Sequence, residues 1–142
     1  IGKVMLETPV LQSEWEEFIT DAGGMIVPKS SRKIVVKLVP EVDGAKMNQE
    51  EAYRLVVSGK EIKVEATTQK GVYWALQTLR QLERSKGRFE ACEILDWPAF
   101  KIRGFMQDVG RSYLSVDELK KEIEILSRYK INVFHWHRPF YL

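Results

Sequence analysis

Cysteine is almost missing from this 142-residue chain, with Cys92 standing alone. One thiol closes no intramolecular disulfide and builds no Cys-based zinc cluster. Cys92 is expected to act as a small buried hydrophobe. No apolar run approaches the roughly 18 residues that a membrane helix needs, so no membrane partner is expected. An excess of one charge is also missing: 22 Lys and Arg stand against 20 Asp and Glu, a net of +2. Without a basic stripe, charge gives no argument for nucleic acid. Neither an internal repeat nor a low-complexity segment interrupts the chain. Its start, Ile1-Gly2-Lys3, lacks an initiator Met and does not read as a signal peptide.

What is present reads as globular. Hydrophobic residues make up 44% and charged residues 30%, a balance that supports a packed core. The length suits one small domain with a piece of another, and falls short of the roughly 250 residues of a complete eight-stranded barrel.

Hydrophobic spacing divides the first part into helices and strands. From Pro9 to Ala22 the spacing of Trp15, Phe18 and Ile19, with Glu14, Glu16 and Glu17 between them, predicts a helix that Gly23-Gly24 stops. The β-branched run Lys33–Val39, closed by Pro40, predicts a strand. Glu41–Glu50 is polar, contains Asp43-Gly44 and reads as a loop. Two strands follow, Ala52–Val57 and Glu61–Ala66, joined by Ser58-Gly59-Lys60. Ile62, Val64 and Ala66 alternate with Glu61, Lys63 and Glu65, the signature of a hairpin with one covered face. Lys70–Glu83 reads as a second helix with Val72, Leu76 and Leu79 on its buried side, ended by Ser85-Lys86-Gly87. Gly71 near its start allows a close backbone approach. Phe89–Leu95 reads as another strand. The expectation is an α+β unit with a mixed or antiparallel sheet and two helices.

The pattern changes at Asp96-Trp97-Pro98, where Pro98 biases Trp97 to an extended conformation. Ile102–Val109 predicts a strand and Ser115–Tyr129 a helix. That helix opens with a capping box, Ser115-Val-Asp-Glu118, and carries a stripe of Leu119, Ile123 and Leu126. Lys130–Phe134 begins a further strand. Strand, helix, strand is a βαβ unit, with its two strands parallel. The expected division is an accessory domain over residues 1–95 and a barrel fragment over 96–142.

Two stretches together resemble the family 20 glycoside hydrolases, chiefly β-N-acetylhexosaminidases. The first is Glu51-Ala-Tyr-Arg-Leu-Val-Val-Ser, then Ile62-Lys-Val-Glu-Ala, then Gly71-Val-Tyr-Trp-Ala-Leu-Gln-Thr-Leu-Arg-Gln-Leu82. It is similar to the hairpin and "QTLRQL" helix of that family's non-catalytic domain. The second comprises Asp96-Trp-Pro-Ala-Phe100, Arg103-Gly-Phe-Met-Gln-Asp-Val-Gly-Arg111 and Tyr129-Lys-Ile-Asn-Val-Phe-His-Trp-His137. It resembles the family's approach to the barrel, "D-P-x-F", "R-G-x-x-x-D-x-x-R" and "K-x-N-x-x-H-W-H". The match runs from Glu51 to His137; the first 50 residues match by position and element order.

The resemblance implies an α+β domain followed by the first βαβ of a truncated (β/α)8 barrel. It also implies a parent enzyme that removes terminal N-acetylglucosamine or N-acetylgalactosamine from glycans. In that family the substrate's own 2-acetamido carbonyl is the nucleophile, an exception to the usual two-carboxylate scheme. An enzyme Glu protonates the leaving group and the preceding Asp orients the acetamide. Held in place, a neutral amide oxygen becomes effective through proximity. That pair lies further along the family's chain. After "HWH" the family continues with a Leu, a small residue and two acidic residues, whereas Arg138-Pro-Phe-Tyr-Leu142 stands here. No catalytic residue is therefore expected in this chain, and it is expected to be inactive alone.

By the same resemblance, Arg103 matches an arginine at the end of the first barrel strand that contacts sugar hydroxyls in the complete enzyme. Asp108 and Arg111 are expected to pair near the top of that strand, since carboxylate and guanidinium suit each other geometrically. His135 and His137, two apart on a strand, share a face. Two imidazoles without a third ligand make no zinc site, so they are expected to line or support the barrel floor, with Trp136 packed the other way. Trp74, in an amphipathic helix, is expected to be packed in a core. No metal and no cofactor is expected. An open parallel pair exposes apolar surface, so self-association is expected. The resemblance implies an extracytoplasmic location. The rival reading is a non-enzymatic carbohydrate- or protein-interaction module with a vestigial barrel segment.

Overall fold

The computed structural model describes residues 1–83, 87–111 and 113–138. They form two compact units, Ile1–Ala99 and Phe100–Leu142.

The first unit is a six-stranded mixed sheet with two helices. In chain order its elements are β1 (Lys3–Glu7), α1 (Gln12–Asp21), β2 (Met25–Ile26), β3 (Lys33–Leu38), a 3-10 turn (Gln49–Glu51), β4 (Tyr53–Val57), β5 (Glu61–Ala66), α2 (Gln69–Leu82) and β6 (Cys92–Asp96). Across the sheet the order is β2-β1-β3-β5-β4-β6. β2, β1, β3 and β5 run parallel, while β4 pairs antiparallel with both β5 and β6. The hairpin expected from the alternation in Glu61–Ala66 is the β4–β5 pair, with Leu55 opposite Val64 and Val57 opposite Ile62.

Register explains the core. Leu6, Ile34, Ile62, Val57 and Cys92 stand in one row across the strands; Val36, Val64, Leu55 and Ile94 stand in the next. These rows join Trp15, Phe18 and Ile19 of α1 and Val72, Ala75, Leu76 and Leu79 of α2 in one buried cluster. Each fully buried Val, Leu, Ile or Phe side chain contributes about 1.5–3 kcal/mol through the water it leaves. Cys92 belongs to the first row but is only half-buried, because its strand is the sheet's edge. The opposite face is charged. Glu7 pairs with Lys33 at 3.8 Å and Lys63 with Glu65 at 2.6 Å, and Arg54 pairs with Glu93.

Local chemistry sets the helix ends. Gly23 takes a φ of +70°, which an L side chain resists, and lets its N–H reach the Thr20 carbonyl while Gly24 N–H reaches that of Ile19. This Schellman closure satisfies carbonyls left over at the end of α1. α2 starts where the Thr68 hydroxyl accepts from the Lys70 N–H at 3.1 Å. It ends at Leu82; of the expected stop signal, Ser85 and Lys86 lie outside the described residues.

Trp74 and Tyr53 carry polar groups into this unit and partner them there. Trp74 is buried as expected, and its Nε1 donates to Glu51 Oε2 at 2.6 Å. The Tyr53 hydroxyl lies 2.6 Å from Thr78 Oγ1 and donates to Asp96 Oδ2 at 2.8 Å. Burial drives the Tyr53 phenol above its ordinary pKa, Thr78 opposes this, and the Asp96 carboxylate adds to it.

The second unit holds β7 (Gly104–Asp108), α3 (Val116–Arg128) and β8 (Val133–His137). β7 and β8 pair in parallel, as a βαβ unit requires. The capping box forms: Ser115 Oγ accepts from Glu118 N–H at 3.3 Å, and Glu118 Oε2 accepts from Ser115 N–H at 2.8 Å. These hydrogen bonds hold the Glu118 carboxyl below its ordinary range. The expected stripe is covered only in part. Leu119 is buried and Leu126 half-buried, but Ile123 is 46% exposed. Periodicity marks an apolar face, and only part of it is covered here.

Candidate functional site

In a parallel barrel the chemistry gathers at the C-terminal ends of the strands, and conservation at the other end reads as stability. The parallel register of β7 and β8 sorts the candidate residues between those two ends. Asp108 closes β7 directly opposite His137, which closes β8, and Met106 stands opposite His135. Alternation puts Asp108, His135 and His137 on one face. The two imidazole rings meet edge to face with centroids 5.6 Å apart. Val109 N–H reaches the His137 carbonyl at 3.1 Å, so the pairing continues to the strand ends.

Just past β7 the chain turns back. Asp108 Oδ1 accepts from Gly110 N–H at 2.8 Å, and its Oδ2 lies 3.6 Å from Arg111 Nε. The expected Asp108–Arg111 pair is therefore present. The Arg111 side chain is 91% exposed, so the pair adds little stability. Its guanidinium is left accessible at the strand end, with several fixed donors. Among the described residues no group of three His, Cys, Asp or Glu side chains could hold a metal ion.

Arg103 sits elsewhere. The strand starts at Gly104, so Arg103 precedes β7 instead of standing at its end. Its Nε donates to the Lys130 carbonyl at 2.7 Å and its Nη1 to the Phe100 carbonyl at 2.8 Å. Asn132 completes the arrangement. Its Oδ1 accepts from Arg103 N–H at 2.8 Å, and its Nδ2 donates to the Lys101 carbonyl at 2.7 Å. Lys130 has a φ of +61°, and its own N–H and that of Ile131 close the end of α3 on Ser127 and Leu126. Arg103, Lys130 and Asn132 thus staple the starts of the two strands together. The Lys-x-Asn spacing was visible in the sequence, but nothing in it told that Asn132 faces Arg103. Trp136 also departs from expectation. It is 55% exposed and does not pack between strand and helix. Phe105 and Phe134, on its face of the pair, stack with ring centroids 6.3 Å apart.

An α+β unit, followed by a parallel βαβ unit with polar side chains gathered at the strand ends, defines a two-part protein whose second part opens as a barrel does. Comparison with known families agrees with this architecture. Residues 8–97 match the model for glycosyl hydrolase family 20, domain 2, and residues 100–138 match that for the glycosyl hydrolase family 20 catalytic domain. The chain belongs to glycosyl hydrolase family 20. It is 38% identical over 106 residues to a beta-hexosaminidase of Porphyromonas gingivalis, covering 68% of this chain and 14% of that protein. It is 38% identical over 95 residues to the beta-hexosaminidase subunit beta of Sus scrofa, covering 64% of this chain and 18% of that one. A family 20 exo-β-N-acetylglucosaminidase from Vibrio harveyi, solved with N-acetylglucosamine, superposes with a TM-score of 0.76 at 32% identity. That superposition covers 96% of this chain and 22% of the Vibrio chain. The chain therefore spans under a fifth of the length of these curated relatives.

Proposed function

We propose that this chain is the accessory domain and barrel opening of an exo-acting β-N-acetylhexosaminidase that releases terminal N-acetylglucosamine or N-acetylgalactosamine from glycans. The observation that carries the reading is the gathering of Asp108, Arg111, His135 and His137 at the C-terminal half of a parallel strand pair, in a chain whose relatives are named hexosaminidases. In this reading Arg111, not Arg103, offers its donors to the sugar. Asp108 holds the Arg111 guanidinium, the two histidines support the pocket beneath, and Arg103 fixes the strand starts.

Substrate-assisted cleavage needs a carboxylic acid at the leaving group and a carboxylate on the acetamide. The one Asp-Glu step in the sequence, Asp117-Glu118, opens α3, and Glu118 is engaged in the capping box. The 142-residue chain is accordingly expected to release no 4-nitrophenol from a 4-nitrophenyl N-acetyl-β-glucosaminide. A longer protein carrying these residues and a full barrel is expected to release it. Failure of the longer protein would overturn the hexosaminidase reading. Turnover by the 142-residue chain alone would overturn only its silence.

Self-association belongs to the same proposal. Ile102, Met106, Val116, Ile125, Tyr129 and Trp136 of the second unit are all exposed, and apolar surface left open favours association where it is contiguous. Sedimentation velocity is expected to show an average mass that rises with concentration; a constant monomer mass across a wide range would sink the idea. An extracytoplasmic location completes the reading by family resemblance. No helix among the described residues is long and apolar enough to cross a membrane.

A further inference from the structure

At the end of the six-stranded sheet where β3 and β5 begin, a cleft of about 450 Å³ opens to solvent. Its floor is apolar: Val4, Ile34, Val57 and Ile62, each buried, belong to the core. The half-buried ring of Phe89 stands beside them. Its rim is cationic. Arg32, Lys60 and Arg88, all exposed, line the opening along with Lys33, and Glu61 is the one carboxylate among the lining residues. Lys33 is engaged with Glu7 at 3.8 Å, and Arg32 Nη1 donates to the Ile1 carbonyl at 3.2 Å while keeping its other donors.

The usual composition of a ligand site is an apolar wall with a few convergent polar groups, in a volume of about 300–1,000 Å³. The volume of this cleft lies in that range, and its lining combines apolar side chains with charged ones. The sign of the rim selects the ligand's charge, and the buried floor selects an apolar body over a bare inorganic ion. Its size suits a small molecule better than a folded partner. The cleft belongs to the first unit and shares no residue with the candidate sugar site of the second.

We propose that this cleft binds a small organic anion, a carboxylate carried on an apolar body. The body lies against Val57, Ile62 and Phe89, and the carboxylate sits among Arg32, Lys60 and Arg88. Hydrogen bonds to ionised groups are about twice as strong as neutral ones, so the head group fixes the ligand's orientation. The turn Ser58-Gly59-Lys60 lines the cleft and brings Lys60 to its rim.

Octanoate is the probe, titrated into the 142-residue chain and followed by amide chemical shifts. Saturable shifts are expected at Ile34, at Val57 through Ile62 and at Phe89. Lys60→Glu, Arg88→Glu and the double variant are expected to weaken binding about tenfold or more, the equivalent of roughly 1.4 kcal/mol. Octan-1-ol is expected to bind at least about tenfold more weakly than octanoate, since it lacks the charge-assisted bonds. Lys37→Glu, on the sheet's opposite face, is expected to leave the affinity unchanged. Three results would each overturn the proposal: no saturable shifts in the cleft, shifts confined to the exposed apolar side chains of the second unit, or equal affinity for octanol and octanoate. An affinity indifferent to both charge reversals, in variants whose spectra show them folded, would do the same.

Discussion

Gly71→Ala is expected to lower the stability of the N-terminal unit by about 1–2 kcal/mol, although alanine is the better helix former. The propensity gain is about 1 kcal/mol in favour of alanine. Against it stands the geometry. A Cβ at Gly71 would come 2.4 Å from the Ala52 carbonyl oxygen and 2.9 Å from Ala66 Cβ. Neither neighbour is the flexible end of a side chain. One is the backbone leading into β4 and the other is the last residue of β5, so relief requires α2 to lift away from the sheet. Overpacking of this kind costs about 1–3 kcal/mol and occasionally more, and here it also displaces Val72 and Ala75 in the same turn, both fully buried. A urea titration followed by tryptophan fluorescence should show the midpoint fall. A midpoint equal to or above that of the parent chain would mean that α2 does not rest on the sheet as closely as described.

Trp15→Ala should cost more, about 3–5 kcal/mol, the range for emptying a buried aromatic site. Trp15 is the largest fully buried side chain and meets Phe18 edge to face at 6.0 Å between ring centroids. Trp15→Phe should cost far less than Trp15→Ala. The Trp15 Nε1 has no hydrogen-bond partner among the described residues, and a buried donor left unmade costs about 1–3 kcal/mol. Phenylalanine removes that donor along with some volume, so the two changes partly offset. Trp74 offers no such relief, because its Nε1 donates to Glu51. Comparing Trp15→Phe with Trp74→Phe by thermal unfolding separates the two cases. An equal or larger loss at Trp15 would show that ring volume, not the unmet N–H, decides that site.

Features written in neighbouring residues were legible from the sequence. The alternation in Glu61–Ala66, the Ser115–Glu118 capping box, the Gly23-Gly24 stop and the tight approach at Gly71 each depend on residues close in the chain. Features written by distant pairing were not. β1 and β2 had no signal of their own, because short parallel strands owe their existence to distant partners: β1 pairs with Lys33 and Ile34 of β3, and β2 with Lys3 and Val4 of β1. Arg103 was misplaced for the same reason. Ile102–Val109 has strand-like composition throughout, but Asn132 takes hold of Arg103 and its neighbours, and the ladder starts only at Gly104. The exposed Ile123 shows the remaining limit: spacing identifies a face, while its covering depends on what else packs there.

Sheet order has a further consequence for how this chain meets copies of itself. An unpaired strand edge presents a row of open N–H and C=O groups, a template for aggregation that proteins blunt with short strands, prolines and charge. In the first unit one edge is β2, only Met25 and Ile26, with Pro28 close behind it. The other is β6, which carries an exposed Glu93 and is followed within two residues by Pro98. Both edges are guarded. In the second unit each of the two strands is an edge, and neither contains a proline. Strand-to-strand templating therefore has its opening in β7 and β8, beside the residues proposed to meet the sugar, and a neighbouring strand on either side would close it.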